Sequence, residues 1–216
     1  MLAVTFDMDG LMFNTEDVYT LAGTELLARR KCSFTPELKD AMMGLPPRAA
    51  FEVAIDWHHL QEPWDVLAAE SNEIFLGLLS ERLAIMPGLP ELLAALEEAG
   101  IPKAIATSSG RRLTDACLAP FQLAPRFCFI LTAEDITRGK PDPEIYLLAA
   151  ARFGVSPGEM LVLEDSQNGC RAAAASGAFT VAVPGEHSRH QDFSVADLVI
   201  ESLADRSLHE VLGVTL

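Results

Sequence analysis

Positive charge is scarce in this chain. Lysine and arginine together number 16 against 31 aspartates and glutamates, for a formal net charge of −15 in 216 residues. Binding a phosphate backbone needs clustered Lys and Arg, so no nucleic-acid partner is expected. The same charge repels anionic substrates at long range, so a phosphate site would have to be built locally from a metal, a lysine and backbone amides. Cysteine is scarce too. Cys32, Cys117, Cys128 and Cys170 are scattered without a CxxC spacing, which argues against zinc and for buried free thiols in a reducing cytoplasm. No apolar run is long enough to cross a bilayer. The N-terminus lacks a basic region followed by an apolar stretch, so neither a membrane partner nor a signal peptide is expected, and the expected location is cytoplasmic. Internal repeats and low-complexity tracts are also missing. The His58-His59 pair reads as helix surface.

What remains is an ordinary globular composition, 50% hydrophobic and 22% charged, with length for one large domain or one domain carrying a smaller insert. Residues 2–6 are short, apolar and partly β-branched, which reads as a buried strand. From Glu16 to about Arg82 the pattern is helical. Thr15 can cap a helix through Lys31, with Leu21, Leu26 and Leu27 on its apolar side. Pro36 can start a second helix ended by Gly44, Pro46 and Pro47 suit the first turn of a third to about His59, and Pro63 precedes a fourth from Trp64 to about Arg82. Trp57 and Trp64 read as core of this helical segment.

Beyond Met86-Pro87-Gly88 strands and helices alternate. Strands are expected at 103–107, 127–132, 160–163, 179–183 and 198–200. Helices are expected at 90–99, 111–118, 144–153, 167–176 and 202–212. The fold class that follows is α/β: a parallel-sheet, Rossmann-like core with helices on both faces, plus a small all-helical cap inserted after the first strand. Residues 1–15 and 84–216 form the expected core and residues 16–83 the expected cap, beside an acidic turn.

That turn is Asp7-Met8-Asp9-Gly10. Two carboxylates directly after a buried strand put negative charge at the sheet edge where open α/β folds bind ligands. They repel each other unless a cation or a proton intervenes. A magnesium site, an acid/base pair or both are indicated, while Asp and Gly are also common turn residues. Other strand ends carry polar groups as well. Ala104–Ala106 runs into Thr107-Ser108-Ser109-Gly110, whose hydroxyls and amides suit a phosphate, though taken alone the stretch reads first as a plain helix cap. Lys140 stands in Arg138-Gly139-Lys140-Pro141-Asp142-Pro143, where it is either a surface lysine or a fixed ammonium able to neutralise a phosphate. Residues 160–163 end in Glu164-Asp165-Ser166, and two adjacent acids after a buried strand are costly unless something balances them. Magnesium, which takes carboxylate oxygens and keeps several waters, fits. Ser166 can cap the next helix, and Gly169 lets it pack closely.

In the stretches FDMDGLMFNTE, ATSSG, GKPDPEIY and LEDSQNG the chain resembles the haloacid dehalogenase-like superfamily, most closely its branch of β-phosphoglucomutases and small sugar-phosphate phosphatases. The resemblance implies Asp7 as nucleophile, forming an aspartyl-phosphate, and Asp9 as acid and then base. It implies Mg2+ held by Asp7, the Asp9 backbone carbonyl and Asp165, with Glu164 close by or acting through water. It also implies Thr107 and the Ser108 amide on the phosphoryl oxygens, and Lys140 between Asp7 and the phosphate. The implied activity is a magnesium-dependent phosphatase for a small phosphorylated metabolite, with a β-phosphoglucomutase-type phosphomutase as the alternative. A monomer is expected, with a dimer as the alternative.

Departures within the family sort its branches. Asp9 argues against dehalogenation. Arg48 replaces a Schiff-base lysine of the phosphonoacetaldehyde-hydrolysing branch and cannot form that intermediate. Arg48 is then either a substrate-facing cap residue or a solvated arginine at a helix start. Tyr19 stands where β-type phosphoglucomutases carry a histidine, which favours a phosphatase. Asn14 replaces an aspartate common in the branch.

Overall fold

The computed structural model describes residues 1–43, 45 and 47–214. The elements are β1 (Ala3–Phe6), α1 (Thr15–Ala28), α2 (Pro36–Met42), α3 (Pro47–His58), α4 (Trp64–Arg82), α5 (Leu89–Glu98), β2 (Lys103–Ala106), α6 (Arg111–Leu118), β3 (Ile130–Leu131), α7 (Glu144–Phe153), β4 (Met160–Glu164), α8 (Gln167–Ser176), β5 (Phe179–Ala182), β6 (Leu198–Val199) and α9 (Arg206–Leu212). The six strands of the described residues form one parallel sheet in the order β3-β2-β1-β4-β5-β6. The chain steps outward from β1 to β3, then returns and steps outward the other way from β4 to β6. With right-handed crossovers this puts α5 and α6 on one face and α7 and α8 on the other. The two directions of winding meet at β1 and β4, the switch point where such sheets open a crevice.

The central strands read as continuous apolar runs because both faces are covered. All residues of β1, β2 and β4 are buried. Phe6 aligns with Ile105 and Leu163, and the Asp7 amide donates to the Leu163 carbonyl (2.9 Å). This register brings Asp7, Thr107 and Glu164 to the same end of the sheet. Beneath it Tyr146, Ile145, Ala149, Val162 and Ala172 form a buried cluster.

The chain divides into two compact units, Met1–Asn14 with Ala84–Leu216, and Thr15–Leu83. Where the first unit hands over to the second, its two strands of chain are stitched together. The Asn14 amide donates to the Ala84 carbonyl (3.1 Å), the Asn14 side-chain oxygen accepts from the Ala84 amide (2.7 Å), and Met86 donates to the Met12 carbonyl (2.9 Å). An aspartate at position 14 would accept the same bond, so the departure at Asn14 leaves this contact intact.

Inside the second unit, Tyr19 of α1 stacks on Phe75 of α4 with ring centroids 4.3 Å apart. Leu27, Leu38 and Ala54 form its core. Arg30, with a side chain only 13% exposed, is held by Glu62 (2.9 Å) and Glu70 (2.7 Å). The N-cap of α2 is Thr35, whose hydroxyl accepts from the Leu38 amide.

Several expectations shift. Helix α1 stops at Ala28, and Lys31 takes a left-handed turn (φ 59). Leu21 is exposed while Leu26 and Leu27 are buried, since α4 covers only one stripe of the helix. Trp57 is 47% exposed and so is not core, whereas Trp64 is half-buried. His59 falls just past α3 in a left-handed conformation. The strand expected at 127–132 shortens to Ile130–Leu131: Phe127 closes a tight turn, its amide donating to the Ala124 carbonyl (3.3 Å), and its ring packs edge-on against Phe6 (5.8 Å). The helix expected at 202–212 starts only at Arg206, with Asp205 as its N-cap, and the chain before it turns, the Asp205 amide donating to the Ser202 carbonyl (3.1 Å). Of the thiols, Cys117 and Cys170 are buried, Cys32 is half-buried and Cys128 is exposed; all are free. The helix stop at Gly44 and the first-turn role of Pro46 lie outside the described residues. None of the described helices is long and apolar enough to cross a membrane.

Candidate active site

The site is built from the ends of β1, β2 and β4 and from the loop before α7. Asp7 ends β1 and is 6% exposed, and Glu164 and Asp165 end β4 at 0% and 7%. One oxygen of each of these three carboxylates lies within 4.8 Å of the others. Lys140 reaches in from its loop. Its ammonium donates to Asp7 Oδ1 (2.5 Å), Glu164 Oε1 (2.6 Å) and the Ala106 carbonyl (3.0 Å). All three N–H groups of that ammonium are therefore engaged.

Glycine makes room for the acids at two positions. Gly10 has φ +75, and a Cβ there would strike the Asp165 carboxylate. A Cβ on Gly169 would occupy the place of the Glu164 carboxylate. Glu164 is then surrounded by donors. Its Oε1 accepts from Lys140 and from the Tyr146 hydroxyl (2.7 Å), and its Oε2 accepts from the Ser166 amide (3.2 Å) and hydroxyl (3.0 Å). Ser166 also caps α8, its Oγ accepting from the Gly169 amide (3.1 Å). With four bonds received, Glu164 has no oxygen lone pair left over for a metal unless one bond is given up.

Burial pushes the Asp7 carboxyl well above the ordinary carboxylate range; Lys140 pulls it back down, while Glu164 and Asp9 push it further up. Burial works against the Lys140 charge as well, but Asp7 and Glu164 outweigh it and hold the ammonium above the ordinary lysine range. Tyr146 is fully buried, and its hydroxyl is pushed well up by burial and then by Glu164, so it stays a donor. Cys117 is pushed up to about 12, by burial first and then by Asp9.

Asp9 is bound on one side only. Its Oδ2 accepts from the Ser109 hydroxyl (2.7 Å) and the Thr107 hydroxyl (3.0 Å), while its Oδ1 is buried without a partner among the described residues. The Thr107 amide is used by the sheet, donating to Leu131 (3.1 Å), and its Oγ1 accepts from the Ser109 amide (3.0 Å). Ser108 is exposed, and its amide has no acceptor among the described residues.

The structure thus brings together Asp7, Asp9, Thr107, Ser108, Lys140, Glu164 and Asp165, all in one unit. Arg48 belongs to the other unit. Its side chain is 70% exposed and pairs with Glu52 one helical turn on (2.8 Å). Two residues escaped the sequence reading. Tyr146 lies in the GKPDPEIY stretch, but only the packing of α7 against β1 and β2 brings its hydroxyl to Glu164. Ser109 was visible as one of several hydroxyls, with nothing in the spacing to mark which of them meets Asp9.

Three carboxylates against one ammonium, in a buried setting, leave two negative charges to balance when all three acids are ionised. Hard oxygen donors and that charge fit a divalent cation such as magnesium. Fold and site together define a doubly wound α/β enzyme scaffold with a carboxylate-centred site at its switch point. The sequence matches the haloacid dehalogenase-like hydrolase family over residues 4–183, and the chain belongs to that family.

Its relatives include hexitol phosphatase B of Escherichia coli K12, 28% identical over 99% of this chain and 97% of that protein. They also include a phosphorylated carbohydrates phosphatase of Thermotoga maritima, 32% identical over 82% of each. Among solved structures, CbbY from Rhodobacter sphaeroides in complex with phosphate is 28% identical and superposes with a TM-score of 0.83 over 95% of this chain and 96% of that one.

Proposed function

We propose that this chain is a magnesium-dependent phosphatase that hydrolyses a small, sugar-phosphate-like monoester through an aspartyl-phosphate at Asp7. The observation that carries the reading is the convergence of Lys140 on Asp7 and Glu164 beside Asp165, at the buried end of the sheet. The names of the hexitol and carbohydrate phosphatases among its relatives support the substrate class.

In the proposed cycle an Asp7 oxygen attacks phosphorus, and the bond to the leaving oxygen breaks with its electron pair on that oxygen. Asp9 gives the leaving oxygen a proton. Asp9 then takes a proton from the water that attacks the aspartyl-phosphate, which restores Asp7 and frees inorganic phosphate. Lys140 keeps Asp7 in register and offsets the charge gathering between nucleophile and phosphoryl group. Thr107 and the Ser108 amide are proposed donors to the phosphoryl oxygens. The Thr107 hydroxyl has one proton, so donating it to a phosphoryl oxygen means withdrawing it from Asp9. Mg2+, held by Asp7, Asp165 and the Asp9 carbonyl, would supply Lewis-acid stabilisation of the phosphoryl oxygens. Glu164 is proposed to sit behind this set and position Lys140. Arg48 is proposed as a substrate-selecting residue, checked by a rise in KM with little change in kcat for Arg48→Ala.

The test is a screen of phosphate monoesters with magnesium and with EDTA, run beside Asp7→Asn. Phosphate release that needs magnesium and disappears in Asp7→Asn, with the far-ultraviolet spectrum unchanged, is the expected outcome. More than a few per cent activity in that variant would remove the nucleophile from Asp7. Interconversion of a sugar phosphate without net release would turn the reading to a β-phosphoglucomutase-type phosphomutase.

A further inference from the structure

The two oxygens of Asp9 have unlike surroundings. Oδ2 takes two hydroxyl donors, from Ser109 (2.7 Å) and Thr107 (3.0 Å), and Oδ1 takes none among the described residues although it is buried. A carboxyl arranged in this way is held by one oxygen and offers the other for proton exchange. The two hydroxyls are not equivalent. Thr107 Oγ1 already accepts from the Ser109 amide, so its single proton points towards Asp9. That proton is also the one Thr107 would donate to a bound phosphoryl group. Once it turns to the phosphate, Ser109 is the hydroxyl of this pair that stays on Oδ2.

We propose that Ser109 is a positioning residue that holds Asp9 by Oδ2, so that Oδ1 is the oxygen giving the proton to the leaving group and later taking one from water. The proposal rests on the phosphatase reading above and extends it to a residue that reading does not use. In the first step the proton passes from Asp9 Oδ1 to the leaving oxygen as the phosphorus–oxygen bond breaks and the bond from Asp7 to phosphorus forms. Ser109 contributes no proton. It contributes the geometry that keeps the Asp9 Oδ1 donor within reach, which is where general-acid efficiency is decided.

The consequence is a dependence on the leaving group. A nitrophenolate leaves without help, whereas a more basic phenolate needs the proton. The test is kcat/KM, which reports steps up to the first irreversible one, across ring-substituted phenyl phosphates from 4-nitrophenyl to 4-methoxyphenyl, with magnesium. Ser109→Ala is expected to lose about tenfold on phenyl phosphate and less than about twofold on 4-nitrophenyl phosphate. Its plot of log kcat/KM against leaving-group pKa then steepens. Ser109→Thr, which keeps the hydroxyl, is expected to restore the shallow slope. Ser109→Cys, close in size and a weak donor, repeats the test if the alanine variant does not fold. A merely structural role would lower all substrates alike.

Asp9→Asn is run beside them. A steep slope in Asp9→Asn together with a wild-type slope in Ser109→Ala and Ser109→Cys overturns the role of Ser109 and leaves the acid on Asp9. A wild-type slope in Asp9→Asn removes the acid from Asp9 and overturns both.

Discussion

Asp7, the proposed nucleophile, lies in a place that resists ionised carboxylates. Burial raises its pKa, and Glu164 and Asp9 raise it further. Lys140 answers that pressure from 2.5 Å away, and Lys140 is itself kept charged by the acids it touches. The Tyr146 hydroxyl completes the arrangement by filling the last place on Glu164 Oε1. Tyr146→Phe removes that donor and leaves a buried carboxylate one bond short, a loss of about 1–3 kcal/mol in stability. The Lys140 ammonium then has a looser partner. A fall of about tenfold in kcat is expected, about 1.4 kcal/mol of barrier, with KM little changed. Steady-state kinetics with a thermal melt would check this. An unchanged kcat together with the lowered melting temperature would confine Tyr146 to packing.

Among elements, two features bear on how the core resists acid and heat. Helix α5 is tied to the start of β2 and to Arg126 through Glu97, which pairs with Arg126 (2.8 Å) and with the buried Lys103 (3.0 Å). The Arg126 hydrogen bond, against some desolvation and with Lys103 adding to it, pulls Glu97 down to about 2. A folded-state value below the unfolded one contributes stability that is full above the unfolded carboxylate range. That contribution is lost as pH falls towards the folded value. The window for Glu97 thus runs from about 4.3 down to about 2. Glu97→Gln is expected to melt lower than the wild type at neutral pH and to lose less on acidification through that window. Parallel melting curves against pH for the two proteins would count against it.

Helix α9 holds a different weakness. His209 is 4% exposed, and neither ring nitrogen has a hydrogen-bond partner among the described residues. Burying such a group costs about 1–3 kcal/mol in mutational data, so His209→Leu is expected to raise the melting temperature by several degrees. A lower melting temperature would show that the imidazole packs in a way leucine cannot match.

The elements also show how far the sequence could be read. Helices α4, α6, α7 and α8 fall where periodicity, prolines and glycines put them. Strand β3 is shorter than its apolar pattern, because the chain turns tightly at Ala124–Arg126 and Phe127 closes that turn through its amide. Leu21 and Trp57 look like core in sequence and are exposed, since which stripe of a helix is covered is decided by the helix across from it. In the site, Asp7, Asp9, Glu164 and Asp165 were legible because charges at the ends of buried strands are costly without a purpose, and Lys140 because Pro141 and Pro143 mark a rigid loop. Tyr146 and Ser109 were not, since a tyrosine in a helix and a serine in a turn are unremarkable until a partner is known.

Over the whole molecule, charge is the property with the widest reach. A net −15 repels the proposed dianionic monoester on approach, while the local ammonium and any bound cation attract it only at close range. At saturating magnesium, kcat/KM is therefore expected to rise as salt goes from about 10 mM to about 150 mM, where the screening length shrinks from about 30 Å to about 8 Å. A fall over that range would mean that local attraction outweighs the repulsion of the whole. The sequence by itself determined the α/β alternation, the helical stretch from 16 to about 82, and the acids and lysine that come to the strand ends, because those follow from periodicity, turn chemistry and the cost of burying charge. The tertiary structure alone decided which hydroxyl meets Asp9, which lone pairs of Glu164 are taken, and why Gly10 and Gly169 have no side chain. Those depend on contacts between residues far apart in the chain, whose distances exist only once the sheet is wound and its register set.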